Sequence, residues 1–285
     1  MGVTMTASSR KGKEPGVLSA NKNAKDRKNH PKQRTMTMLP IQRLFNTCKD
    51  VFSRSSTNAI PSPREIARLK AVLDWISAED LGLSPQMPYF QANGSAASRQ
   101  LTYLHLYECE RFSMCIFCLP PSAVIPLHDH PGMTVFSKIL LGTLHIKSYD
   151  WVVDAPTSSS RSRRSIVNHT GAQPLGARLA KVKVDSNLTA TCNTSILYPA
   201  DGGNMHRFTA VTACAVLDVL APPYSDADGR HCTYYSDHPF SRISVDGLCI
   251  PEDQRGGYAW LEEKEGPEEI DVVGARYQGP LFMEN

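Results

Sequence analysis

His128 and His130, in the run Pro126-Leu127-His128-Asp129-His130-Pro131-Gly132, are the residues of this 285-residue chain best suited to chemistry. Side chains alternate along a strand, so positions two apart share a face and can both reach one metal ion. Imidazole suits iron, zinc, copper or nickel. Such a pair is weak evidence alone, because any strand can carry two histidines. A third histidine strengthens it: His206 follows the turn-forming run Pro199-Ala200-Asp201-Gly202-Gly203-Asn204-Met205, a second turn-then-strand unit. Asp129 points to the opposite face from its neighbours. Asp218 sits among Val and Leu, where a carboxylate is expensive to bury without a partner. Cys232 and Tyr234 are two apart and share a strand face. Cys115 and Cys118 are three apart, on opposite faces, which argues against a redox or zinc pair. His105, His145 and Trp151 read as packing residues within strands. Arg207, beside the third histidine, points away from the metal and is placed to attract an acidic segment.

The elements that must position these groups are mostly strands. From about residue 100, short β-branched and aromatic runs alternate with turn residues: LTYLHLYE, RFSMCIFCL, MTVFSKILL, TLHIKSYDWVV, ARLAKVKV, LTATC, SILYP, HRFTAV and ACAVLDVLA. Many short strands uninterrupted by helices mean a sandwich, barrel or jelly roll. Residues 39–99 are helical in pattern. Ile41, Leu44, Phe45, Cys48 and Phe52 recur at three- and four-residue spacing. Ser62, Pro63 and Glu65 form a capping box with a first-turn proline, followed by the apolar face Ile66, Leu69, Leu73 and Ile76, with Gly82 and Pro85 as the stop.

The flanking segments differ in composition. Residues 1–38 carry nine basic and two acidic side chains, net +7, within a chain whose total is only +3, so the remainder is net −4. Lacking periodic apolar positions, they read as a disordered basic arm. Residues 154–176 read as a Ser/Arg-rich surface loop that includes His169, and residues 252–285, acidic but rich in large apolar groups, as a docked segment. No apolar run reaches the roughly 18 residues of a membrane span, and nothing near Met1 resembles a signal-peptide core. The expected location is cytoplasm and nucleus, where eight cysteines stay thiols. A monomer is expected, with neither a membrane nor a stable nucleic-acid partner.

The paired histidines, Gly142 and the later Pro-x-Asp-Gly…His resemble the two motifs of the cupins. That resemblance implies a mainly β fold: a cupin-like antiparallel β-barrel, or jelly roll, holding a metal, with the N-terminal helices packed outside. The glutamate usual three or four residues after the second cupin histidine is absent; Met133 and Thr134 stand there. A neutral three-histidine set is what the thiol dioxygenases use. HDHPGMTVFSKILLGTLHIKSYDW, DGGNMHRFTA and LDVLAPPYSDADGRHCTYYSDHPF closely resemble the plant cysteine oxidases, relatives of animal cysteamine dioxygenase, over about Pro40 to Pro280 apart from the insertion. The resemblance implies Fe(II) held by His128, His130 and His206, with O2 as co-substrate. The reaction it implies converts N-terminal cysteine of proteins to cysteine sulfinic acid, on partners such as group VII ethylene-response transcription factors, feeding an N-degron and the hypoxia response. It also implies roles for Asp218 in substrate binding or catalysis, for Tyr224 as a hydrogen-bond donor behind the metal, and for Cys232 near the iron. Two alternatives stay open: a dioxygenase of free cysteine or cysteamine, and a non-catalytic ligand-binding cupin.

Overall fold

The computed structural model describes residues 38–53, 60–91, 100–152, 176–240, 250–266 and 271–284. The expected basic arm, except Met38, and nearly all of the 154–176 insertion, including His169, lie outside the described residues. Helix α1 (Pro40–Ser53) buries Ile41, Leu44, Phe45, Cys48, Val51 and Phe52 along one face. Helix α2 (Pro63–Asp74) starts with the expected capping box: Glu65 N–H donates to Ser62 Oγ (3.4 Å), and Ser62 N–H donates to the Glu65 carboxylate (2.8 Å). It ends at Asp74, eight residues before the expected stop. Ser77 is the reason, since its hydroxyl accepts from Asp80 N–H and its own N–H donates to the Asp80 carboxylate, which begins a new 3-10 turn at Glu79–Leu81.

Among the described residues twelve strands follow: β1 (Leu101–Glu108), β2 (Ser113–Leu119), β3 (Val124–His128), β4 (Thr134–Leu141), β5 (Thr143–Trp151), β6 (Arg178–Thr189), β7 (Ser195–Leu197), β8 (Met205–Ala210), β9 (Cys214–Ala221), β10 (Tyr234–Pro239), β11 (Tyr258–Lys264) and β12 (Val272–Arg276). They form a six-stranded sheet, β12-β1-β2-β9-β4-β7, and a closed six-stranded array, β10-β11-β6-β5-β8-β3. This is the expected cupin-like jelly roll. Pairing is antiparallel except between β1 and β12. The expected LTATC strand is instead the end of β6 and the turn after it, closed by Cys192 N–H to Thr189 C=O. The acidic C-terminal part docks as expected, and it does so by adding β11 to one sheet and β12 to the other.

Strand alternation sorts the side chains. On β9, Ala215, Leu217 and Val219 face outward and pack with Leu44, Phe45, Leu69 and Leu73 of the helices. Facing inward, Val216 and Cys214 meet Leu119, Ile125, Leu144, Ile146 and Phe208 between the sheets. Covered on both sides, every residue of β9 is buried. Gly142, in the β4–β5 turn, has φ +78°, and a Cβ there would fall 1.9 Å from the Ala213 carbonyl oxygen; only glycine permits that approach.

Candidate metal centre and substrate cavity

His128 closes β3 and is the register partner of His206 on β8. His130 lies beyond the strand, in the turn preceding β4, so its convergence on the other two does not come from strand alternation as the spacing suggested. Asn204 brings it in. Its side-chain Oδ1 accepts from His130 N–H (3.1 Å), and its Nδ2 donates to the His130 and Tyr198 carbonyls (2.9 Å each). Asp150 in turn accepts from the Gly203 and Asn204 N–H groups (2.8 and 3.1 Å), which holds the turn that presents His206. Asp129 does face away from the histidines. Its carboxylate accepts from Thr233 N–H (2.9 Å) and Tyr235 O–H (3.0 Å), which ties this turn to β10.

The result is a compact triad: one nitrogen from each of His128, His130 and His206 lies within 4.8 Å of the others, and all three rings are buried. Burial pulls each imidazole's pKa down, His130 and His206 well below the usual value; for both, the neighbouring imidazoles add to the shift. All three are therefore neutral at physiological pH, the form that binds a metal. In His128 and His130 the other ring nitrogen is engaged. His128 Nδ1 donates to the Pro126 carbonyl (2.8 Å). The Tyr224 hydroxyl donates its single hydrogen to the Asp129 carbonyl (2.7 Å), so the 2.8 Å contact between that oxygen and His130 Nδ1 has the imidazole donating. That fixes the tautomer and leaves the His130 Nε2 lone pair bare. Among the described residues this buried nitrogen has no hydrogen-bond partner. A buried acceptor left empty is costly unless something else binds it, and a metal ion fits.

The triad opens onto a cavity of about 290 Å³, also lined by Tyr103, Cys115, Phe117, Asp218, Leu220, Tyr224, Cys232 and Tyr234. Asp218 reaches it from the other sheet, paired in register with Cys115 on β2 and Ser137 on β4. Burial raises its carboxyl to about 7, although a hydrogen bond from Ser137 opposes the shift. Its Oδ1 is buried without a hydrogen-bond partner among the described residues. Burial, then the nearby Cys232, pushes the Tyr224 hydroxyl well up, so it stays a neutral donor. The Cys232 thiol is also raised by burial, against hydrogen bonds with Tyr234 and Tyr224.

All six expected site residues thus line one cavity. Tyr234 joins them, although Cys232 lies before β10 rather than within it. Cys115 and Cys118 do face opposite ways, and Cys115 forms part of the cavity wall while Cys118 packs beneath the helices. The cavity position of Cys115 and the roles of Tyr103, Asn204 and Asp150 do not follow from the sequence, because they depend on register and on contacts far apart along the chain. Two expected packing residues behave otherwise, since His105 is exposed and His145 pairs with Asp185 (3.0 Å); half-buried Trp151 does pack, edge-on against Tyr235 and under Arg178. Arg207 points away from the triad, and its charge is taken by Asp237 (3.3 Å).

The PCO_ADO family model matches residues 72–282. The chain is 54% identical over 270 residues to plant cysteine oxidase 2 of Arabidopsis thaliana, 94% of this chain and 92% of that one. It is 56% identical over 247 residues to plant cysteine oxidase 1 of the same plant, 84% and 79% of the two chains. Against the 2-aminoethanethiol dioxygenase of Mus musculus the identity is 32% over 257 residues, 85% and 96% of the two. With a match over most of its length to both the family model and these relatives, the chain belongs to the PCO_ADO family.

Proposed function

We propose that this protein is an iron(II)-dependent thiol dioxygenase that converts the N-terminal cysteine of proteins to cysteine sulfinic acid. The carrying observation is the buried, neutral three-histidine set with a bare His130 Nε2, facing across one small cavity the Asp218 Oδ1, which has no hydrogen-bond partner among the described residues. Membership of the PCO_ADO family and the cysteine oxidases among its relatives support the same reading. His128, His130 and His206 would hold the metal. Bound there, iron would supply the redox chemistry that joins both atoms of dioxygen to sulfur, R–SH + O2 → R–SO2H, with every electron taken from the sulfur and no further reductant.

The chain's own residues do the rest. A neutral ligand set leaves the metal's charge uncompensated, which favours an anionic thiolate beside it. Asp218 Oδ1 accepts from the substrate's α-ammonium. The carboxyl is half-protonated near neutral pH while the cavity holds no cation, and an arriving ammonium restores its ionised form. Tyr224 and Asp129 keep the His130 ring in place, and Phe117, Ile125, Phe208 and Leu220 keep water from the reacting sulfur. The substrates of this reading are proteins such as group VII ethylene-response transcription factors, whose oxidised cysteine would mark them for degradation, in cytoplasm and nucleus. Among the described residues no helix is long and apolar enough to cross a membrane.

The test is direct. Protein loaded with iron(II) and given heavy-isotope dioxygen and a Cys-initiated peptide should yield a peptide carrying both heavy atoms by mass spectrometry. Absence of that product overturns the reading, and zinc as the stoichiometric native metal would overturn the choice of iron.

A further inference from the structure

The catalytic cavity, at about 290 Å³, sits at the lower end of small-ligand pockets, roughly 300–1000 Å³. A cysteine residue and the start of the next fill it, so the rest of a peptide substrate must leave. A groove of about 890 Å³ adjoins the cavity and shares Glu108, Pro223 and Tyr224 with it. Its other walls are the β1–β2 turn, with Cys109 and Glu110, and the segment Ser225, Asp228 and Arg230.

Charge in this groove is lopsided. Arg230 is its one cation among the lining residues, and that guanidinium is already occupied by Asp228 (2.9 Å) and the Pro223 carbonyl (3.1 Å). The neighbouring Arg111 is turned away, donating to the Phe52 and Ser53 carbonyls at the end of α1. Glu108 and Glu110 are exposed and have no ion-pair partner among the described residues. At the inner end of the same path stands the buried, unpartnered Oδ1 of Asp218. From the buried end to the open one, the path offers carboxylates, and its one lining cation is already paired with Asp228.

We propose that this groove receives the residues that follow the substrate's N-terminal cysteine, and that Glu108 and Glu110 select polypeptides with basic side chains at about the third and fourth positions. The inference rests on the N-terminal-cysteine reading above and names the substrate class within it. Exposed carboxylates contribute only modestly to such a pairing. The expected preference is therefore several-fold to about tenfold between Lys-Lys and Glu-Glu peptides, shrinking as salt screens it.

The experiment uses the full chain loaded with iron(II) and three Cys-initiated peptides of equal length carrying Lys-Lys, Ser-Ser or Glu-Glu at positions three and four. Anaerobic dissociation constants by fluorescence anisotropy test the groove; admitting air and weighing the product tests the reaction. Affinity should rank Lys-Lys, Ser-Ser, Glu-Glu at low salt, contract at 0.5 M salt, flatten in Glu110→Gln and reverse in Glu110→Lys. Equal affinities, or a ranking that survives Glu110→Lys, would overturn the proposal. A charge ranking without sulfinic acid in air would overturn the reaction while leaving the groove standing.

Discussion

The space between the two sheets has two ends made by the same strands. One is closed by Leu119, Leu144 and Val216; the other holds three histidines, Asp218, Tyr224 and Cys232 around an open cavity, with Ile125 and Phe208 at the boundary. Neighbouring inward positions divide the two. On β9, Val216 belongs to the dry end and Asp218 to the cavity; on β8, His206 faces the cavity with Phe208 packed beside its ring, centroids 4.5 Å apart. Backbone alternation supplies inward positions at both ends. Side-chain identity alone makes one end a core and the other a site, and polar groups survive there because hydrogen bonds, not packing, hold them in place.

Breaking each end should therefore fail in a different way. The largest effect is expected for His206→Ala, which removes one of three ligands. Bound metal should fall from stoichiometric to background, and product formation by more than the 10–100-fold typical of losing a residue that only supports a ligand. Retained stoichiometric iron would show that the triad is misassigned.

At the other end, Leu144→Ala opens a void in a fully buried position. Urea denaturation should show a loss of about 2–5 kcal/mol, with the folded variant binding metal as before. If metal binding fails while stability holds, the two ends are not separable as described.

Tyr224→Phe sharpens the contrast, because it deletes only the hydroxyl that bridges His130 and the Asp129 carbonyl. Metal affinity or turnover should drop about 10–100-fold, with thermal stability nearly unchanged. An unchanged turnover would remove Tyr224 from the support of His130.

The smallest signal is a slope. Asp218 binds a proton more tightly in the fold, at about 7, than in the unfolded chain. Between roughly pH 4 and 7 the folded metal-free protein thus holds more protons from this group than the unfolded one, so Asp218 makes stability fall as pH rises, by at most roughly 1.4 kcal/mol per unit. Asp218→Asn should remove that slope. A slope that persists in denaturation curves at pH 5, 6 and 7 would place its origin elsewhere.

Much of this division could be read before any coordinates. The capping box at Ser62 and Glu65, the apolar faces of α1 and α2, and most of the strands follow from spacings of two to four residues, and the structure repeats them. The cavity was legible through its histidines, Asp218, Tyr224 and Cys232, partly from residue type and partly from a family resemblance. Strands β11 and β12 were not read, because short segments such as Val272–Arg276 have little alternation of their own and take their form from pairing with a partner already in place.

What the sequence by itself determined is local: which side of each strand is apolar and where the helices begin, since alternation and capping act within a few residues. Only the tertiary structure decided that His130 joins the triad from a turn, through Asn204, 74 residues further along the chain. It alone set Asp218 across from the histidines on the other sheet and ran an acidic groove out of the cavity. These arrangements depend on strand register and on hydrogen bonds between distant segments, which exist only once both sheets have folded around a common interior.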